Sequence, residues 1–171
     1  LQLPERLFTS DKKIVLAHPL FIADLERLNT KLHPLATELT SEFPFSLIGR
    51  RHLRSNNSWM HNSKRLVKGK ERCTLLINSK DAHLLHIEEG QIVKVTSDIG
   101  QVKLPIEITD TIMKGVVSIP HGWGHHRKGT NLEIAQQHAG ISINDLTNPK
   151  NMDTLTGNAD FSSTKVKIEK V

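Results

Sequence analysis

The sequence predicts a mainly β fold, a compact barrel with short helices set into it and a helical segment in front of it. Three observations carry that expectation. Short apolar runs of strand length recur between Phe45 and Ile168, bounded by Gly, Pro, Asn and Asp. One of them places Val102, Leu104, Ile106 and Ile108 in alternation with polar or turn-forming residues, the period of a strand with one buried face. Ahead of these runs, the clearest periodicity is helical.

The helical segment runs from Pro19 to Leu32, where Phe21, Ile22, Leu25, Leu28 and Leu32 recur at three- and four-residue spacing and Pro19 occupies the first turn. Leu35 to Glu42 breaks the period and reads as a linker. Phe45–Ile48 and Cys73–Ile77 are expected as buried strands. Asn78 and Ser79 can accept the free backbone N–H groups of a short helix, Lys80–Ile87. Gly90 then turns the chain into a strand over Gln91–Ser97, and Asp98-Ile99-Gly100 turns it back into Val102–Ile108, where Pro105 marks an edge or a bulge. Val116–Ile119 and Val166–Ile168 complete the strands.

At 171 residues and 37% hydrophobic, the chain holds one ordinary core. The expected division is a helical segment and linker over 1–42 and a barrel over 43–171. Leu1 in place of Met points to an excised piece of a longer polypeptide or to a processed chain. No apolar run approaches the roughly 20 residues that span a bilayer. With Cys73 alone, the chain can form no intrachain disulfide and no cysteine-rich metal site, and a reducing cytoplasm is the expected location.

Charge is concentrated. Of 23 lysines and arginines, eight fall between Gly49 and Arg72 beside one acid, Glu71, leaving 15 bases against 17 acids elsewhere. The stretch GRRHLRSNNSWMHN, Gly49 to Asn62, combines Arg50, Arg51 and Arg54 with Ser55, Asn56, Asn57 and Ser58. Planar guanidinium forks and short donors suit phosphate oxygens, each charge-assisted bond contributing roughly 1.5–3 kcal/mol. A solvated basic face is the plain alternative. Nucleic acid is a second possible partner for a basic barrel, but Trp59 is the lone aromatic in this stretch and no reading motif accompanies it.

Two later loops have similar character. In HGWGHH, the glycines allow the backbone close to a ligand, with His121, Trp123 and His125 as walls; a tight turn with Trp123 in the core is equally compatible. His121, His125 and His126 could also be read as metal ligands, but no neighbouring carboxylate completes a set. In NDLT, Asn144 and Asp145 can pair with the edge of a heterocycle or cap a turn. No nucleophile with its base, paired-carboxylate site or P-loop stands out, so no catalytic or metal-ligating residue is assigned.

Taken together, FSLIGRRHLRSNNSWMHN, the continuous stretch from Arg72 to His125 and SINDLT resemble the C-terminal dinucleotide-binding domain of the molybdopterin oxidoreductases, the enzymes that include formate dehydrogenase, assimilatory nitrate reductase and dimethyl sulfoxide reductase. The resemblance extends from Phe43 to Val171. It implies a double-psi β-barrel that grips the pterin and pyrophosphate parts of molybdopterin guanine dinucleotide, normally two copies holding one molybdenum or tungsten. It further implies that an iron–sulfur cluster and the metal's protein ligand lie in other domains of the same polypeptide, that the full enzyme acts on a small redox substrate, and that this fragment alone has no turnover. By the same resemblance, Arg50, Arg51, Arg54, Ser55, Asn56, Asn57, Trp59 and His61 belong to a first cofactor loop, His121, Gly122, Trp123, Gly124 and His125 to a second, and Asn144 and Asp145 to a third.

Overall fold

The computed structural model describes residues 2–32, 42–162 and 164–171. Helix α1, Pro19–Leu32, forms as its periodicity requires, yet Leu20, Phe21, Ile22, Leu25 and Leu28 all remain exposed. Most of the expected linker, Leu35 to Ser41, lies outside the described residues. Six strands follow: β1 Phe45–Arg50, β2 Leu75–Ile77, β3 Ile92–Thr96, β4 Gln101–Ile108, β5 Val116–Pro120 and β6 Thr164–Lys170. They close into a barrel in the order β1-β5-β2-β4-β3-β6, a mainly β fold of the double-psi type with few short helices.

Two of the pairings are parallel, β1 with β5 and β2 with β4; the others are antiparallel. Period-two alternation sends Phe45 and Leu47, Leu75 and Ile77, Val93 and Val95, Val102, Leu104 and Ile106, and Val166 and Ile168 into one core. Among the described residues, closure gives each of the six strands a neighbour on both sides, leaving no free edge for another chain to pair with.

Several boundaries move for identifiable reasons. β2 starts at Leu75 rather than Cys73, because the Cys73 amide donates to the Glu71 side chain at 2.9 Å. Helix α3, Ser79–Leu84, is the expected helix with Asn78 capping the Lys80 amide, but it ends before Ile87. His86 adopts φ 54°, and the Ile87 amide turns back to the Ala82 carbonyl at 3.0 Å. Pro105 marks neither an edge nor a bulge: β4 pairs on both sides, and Pro105 sits opposite Ile92 in an unbroken register. On its other side the ladder with β2 begins one residue later, at Leu75 opposite Ile106, so the missing N–H costs little there. Helix α2, Lys64–Val67, helix α4, Glu133–Gln137, and a 3-10 turn at Ile143–Asp145 were not apparent from periodicity, since three to five residues are too few to show one.

Candidate functional site

Because β1 and β5 run parallel, Ser46 opposite Val116 through Arg50 opposite Pro120, the loops that follow them leave from the same rim. The first loop, residues 51–63, and the second, residues 121–132, are pressed together there. Gly122 has φ 90°, and a Cβ on it would lie 2.0 Å from the Asn57 carbonyl oxygen. A Cβ on Gly124 would meet Ser142 at 2.9 Å, and the Gly124 and His125 amides both donate to the Ala139 carbonyl, at 2.8 and 3.1 Å. The second loop is therefore wedged between the first and the segment that carries Asn144 and Asp145. A Cβ on Gly49 would fall 1.9 Å from His121 Nε2, so this imidazole lies on bare backbone at the end of β1.

A cleft of about 720 Å³ opens on the first loop, lined by Arg51, His52, Leu53, Asn56, Asn57 and Met60. Its lining holds a cation, two amides and an imidazole, and no acid. Asn56 and Asn57 reach this arrangement with φ 43° and 59°, the left-handed region that Asn tolerates better than most residues. Arg54 is exposed, with its amide bonded to His52 Nδ1 at 3.1 Å. Ser55 is buried and its hydroxyl has no partner among the described residues, and Trp59 is 83% exposed.

Arg50 takes a different place from its neighbour. Alternation from Phe45 and Leu47 puts it on the outer side of β1, where its guanidinium runs across β5 to the start of β2. It donates to the Ser118 carbonyl at 2.5 Å, to the Thr74 carbonyl and hydroxyl at 2.8 and 2.9 Å, and to the Arg72 carbonyl at 3.4 Å. Burial lowers its pKa from the ordinary guanidinium value, with the Glu107 carboxylate opposing, and it stays charged. Glu107 accepts from Thr74 and Lys70 at 3.1 Å each; burial pushes its carboxyl up, and these bonds outweigh that and hold it below the usual range. The fork expected to meet phosphate is spent on protein acceptors.

Trp123 is 7% exposed and stacks on His61, ring centres 4.0 Å apart at 29°, so the buried-tryptophan alternative describes this loop. Behind it a Cβ on Gly140 would meet both Trp123 and Cys73 Sγ. Cys73 is buried, receives the Ile141 amide at 3.3 Å, and burial pushes its thiol up to about 11. His61 Nδ1 and His125 Nε2 are 2.8 Å apart, joining the first loop to the second. Asp145 is paired with Arg127, and Asn144 is exposed. Among the described residues no three His, Cys, Asp or Glu side chains gather as a metal set; His125 is engaged with His61, and His126 faces solvent.

Residues 45–165 match the model of the family described as the molydopterin dinucleotide binding domain. The chain belongs to this family. It is a molybdopterin dinucleotide-binding domain of the molybdopterin oxidoreductases. It is 35% identical over 144 residues to the molybdopterin-containing subunit ArrA of the arsenate respiratory reductase of Chrysiogenes arsenatis, spanning 75% of this chain and 17% of that protein. To the dimethyl sulfoxide/trimethylamine N-oxide reductase of Rhodobacter capsulatus it is 32% identical, over 62% of this chain and 12% of the other. The solved structure of acetylene hydratase from Pelobacter acetylenicus superposes with a TM-score of 0.67 at 21% identity, over 81% of this chain and 20% of that one, a likeness of fold. The domain thus spans less than a fifth of the curated relatives it matches here.

Two further residues shape the site of this dinucleotide-binding domain. Asn62 Oδ1 accepts the Ile134 and Ala135 amides at 3.1 and 3.3 Å, so the first loop caps α4 from 72 residues away. Arg72 donates to the Leu66 and Lys68 carbonyls at 2.8 Å, closing the C-terminal end of α2. Neither role was legible in the sequence: α2 is too short to show a period, so Arg72 reads there only as one more base of the charged segment, and the partners of Asn62 are remote.

Proposed function

We propose that this barrel closes over molybdopterin guanine dinucleotide in a larger oxidoreductase and grips its pyrophosphate and pterin parts from the shared rim of β1 and β5. The acid-free cleft on the first loop carries this reading. Its donor set fits the group: Arg51 and the exposed Arg54 offer guanidinium forks to phosphate oxygens, and Asn56 and Asn57 offer amide donors. Beside the cleft, Gly122 packs on Asn57 and His121 lies near Arg51, where they can meet the ligand's flank, and Asn144 supplies an amide from the third loop. Arg50, Ser55, His61, Trp123, Gly124 and His125 serve the site by holding its loops in place.

When bound, the cofactor with its molybdenum or tungsten supplies the redox chemistry. The chain's own residues bind, orient and neutralise. The remaining domains of the same polypeptide are its partners, with residues 1–42 as the tail of the preceding one. They supply the metal's protein ligand, any iron–sulfur cluster and the pocket for a small redox substrate, in a reducing cytoplasm.

Reversing one cleft charge tests this. In the full-length enzyme Arg51→Glu is expected to lower cofactor content at least tenfold, the loss of one charge-assisted bond of about 1.5–3 kcal/mol. Released pterin fluorescence and bound metal measure it. Full cofactor content in that variant would refute the reading, as would formate or nitrate turnover by this chain alone with added cofactor.

A further inference from the structure

We propose that His61 and His125 are positioning residues: their ring-to-ring hydrogen bond latches the second loop to the first in the register that shapes the cleft, and the latch closes only while one of the two bonded nitrogens is bare. Its functional meaning rests on the dinucleotide reading above. The latch itself rests on geometry.

An imidazole N–H···N bond needs one donor and one unprotonated acceptor. At 2.8 Å, two protonated rings would set N–H against N–H and charge against charge. The rings cannot easily turn away. His61 is 1% exposed with Trp123 stacked on its face, and His125 meets it edge-on, ring centres 5.1 Å apart at 89°. Neither ring lines the cleft, so any effect on the ligand passes through loop placement, in particular through Gly122 lying on Asn57.

The surroundings favour the neutral pair. Burial pushes His61 down to about 4, with His125, Arg72 and His52 adding in the same direction and the Gly122 backbone opposing, and burial also lowers His125. Glu71, Arg72 and His138 line a small cavity with Trp123. Glu71, the acid among them, is committed to the Arg72 and Cys73 amides at 2.9 Å each. The Cys73 thiol is neutral, and along the second loop His126 is exposed and Arg127 is paired with Asp145. Both histidines have depressed pKa values in the fold, so the unfolded chain binds more protons between about pH 6.5 and 4. Loop stability is present above that window and is lost as pH falls through it.

Backbone hydrogen exchange on this chain without cofactor, read as protection of loop amides, tests the latch. The wild type is expected to lose protection in residues 55–61 and 121–125 at least tenfold between pH 7.5 and 4.5. His125→Leu should lose it at both values. His125→Gln, whose amide oxygen can accept from His61 whether or not that ring is charged, should keep it at pH 7.5 and lose less of it than the wild type at pH 4.5, since His61 alone of the pair still titrates. Wild-type protection in His125→Leu at pH 7.5 would overturn the proposal, and so would a His125→Gln profile that falls with acid as the wild type does. If His125→Leu fails to fold by circular dichroism, the His125→Gln profile decides. In the full-length enzyme, His125→Leu should lose cofactor and His125→Gln should retain it. Arg51→Glu separates the two readings: if that enzyme keeps its cofactor, the dinucleotide reading falls and the exchange result still stands or falls alone.

Discussion

Gly122→Ala is expected to open the site and to lower the cofactor content of the full-length enzyme more than tenfold, with the barrel still folded. Two costs add. At φ 90° an L side chain is strained by about 1–2 kcal/mol, and the new methyl would sit 2.0 Å from the Asn57 carbonyl oxygen and 2.9 Å from the Ser58 nitrogen. Backbone cannot move aside as a flexible side chain can, so the second loop must lift from the first. The barrel core contains none of these atoms, so its cooperative melt should persist while protection is lost in both loops. A variant that keeps wild-type cofactor content and loop protection would show that contact to be unimportant.

Arg50→Met should instead weaken the barrel itself, by about 3 kcal/mol in urea denaturation of this chain. The methionine fills similar volume but leaves the Ser118 and Thr74 carbonyls without their charged donor, and unpaired buried acceptors cost roughly 1–3 kcal/mol each. It also unties β1 from the start of β2 across β5. Arg51→Met, one residue on and exposed, should change stability by less than about 0.5 kcal/mol. Equal effects of the two substitutions would mean that Arg50 braces nothing.

These two arginines show what a sequence can and cannot tell. Composition makes Arg50 and Arg51 equivalent, and both belong to a phosphate-rich reading. Their difference comes from strand parity and from which strand lies beside β1, a pairing between residues about 70 positions apart. The β4 strand was legible because its alternation is local; α4 was not, because its cap, Asn62, comes from another loop. Helix α1 was legible from its stripe, whereas no pattern within the chain says what that stripe packs against. The three loops were recognisable as a set through family resemblance, and their contact at one rim follows from the parallel β1–β5 pair. That His61 and Trp123 face inward while Trp59 faces out depends on packing that spacing does not encode.

Cys73 gives this arrangement a practical handle. It is the chain's single thiol, roofed by Gly140 and Ile141 and held in its unreactive protonated form. A soluble alkylating reagent can reach it only when that roof lifts. Its modification rate under native conditions therefore reports the fraction of time that roof is open. Ligands that clamp the loops should slow it, and acid should speed it relative to a free thiol of the same pKa.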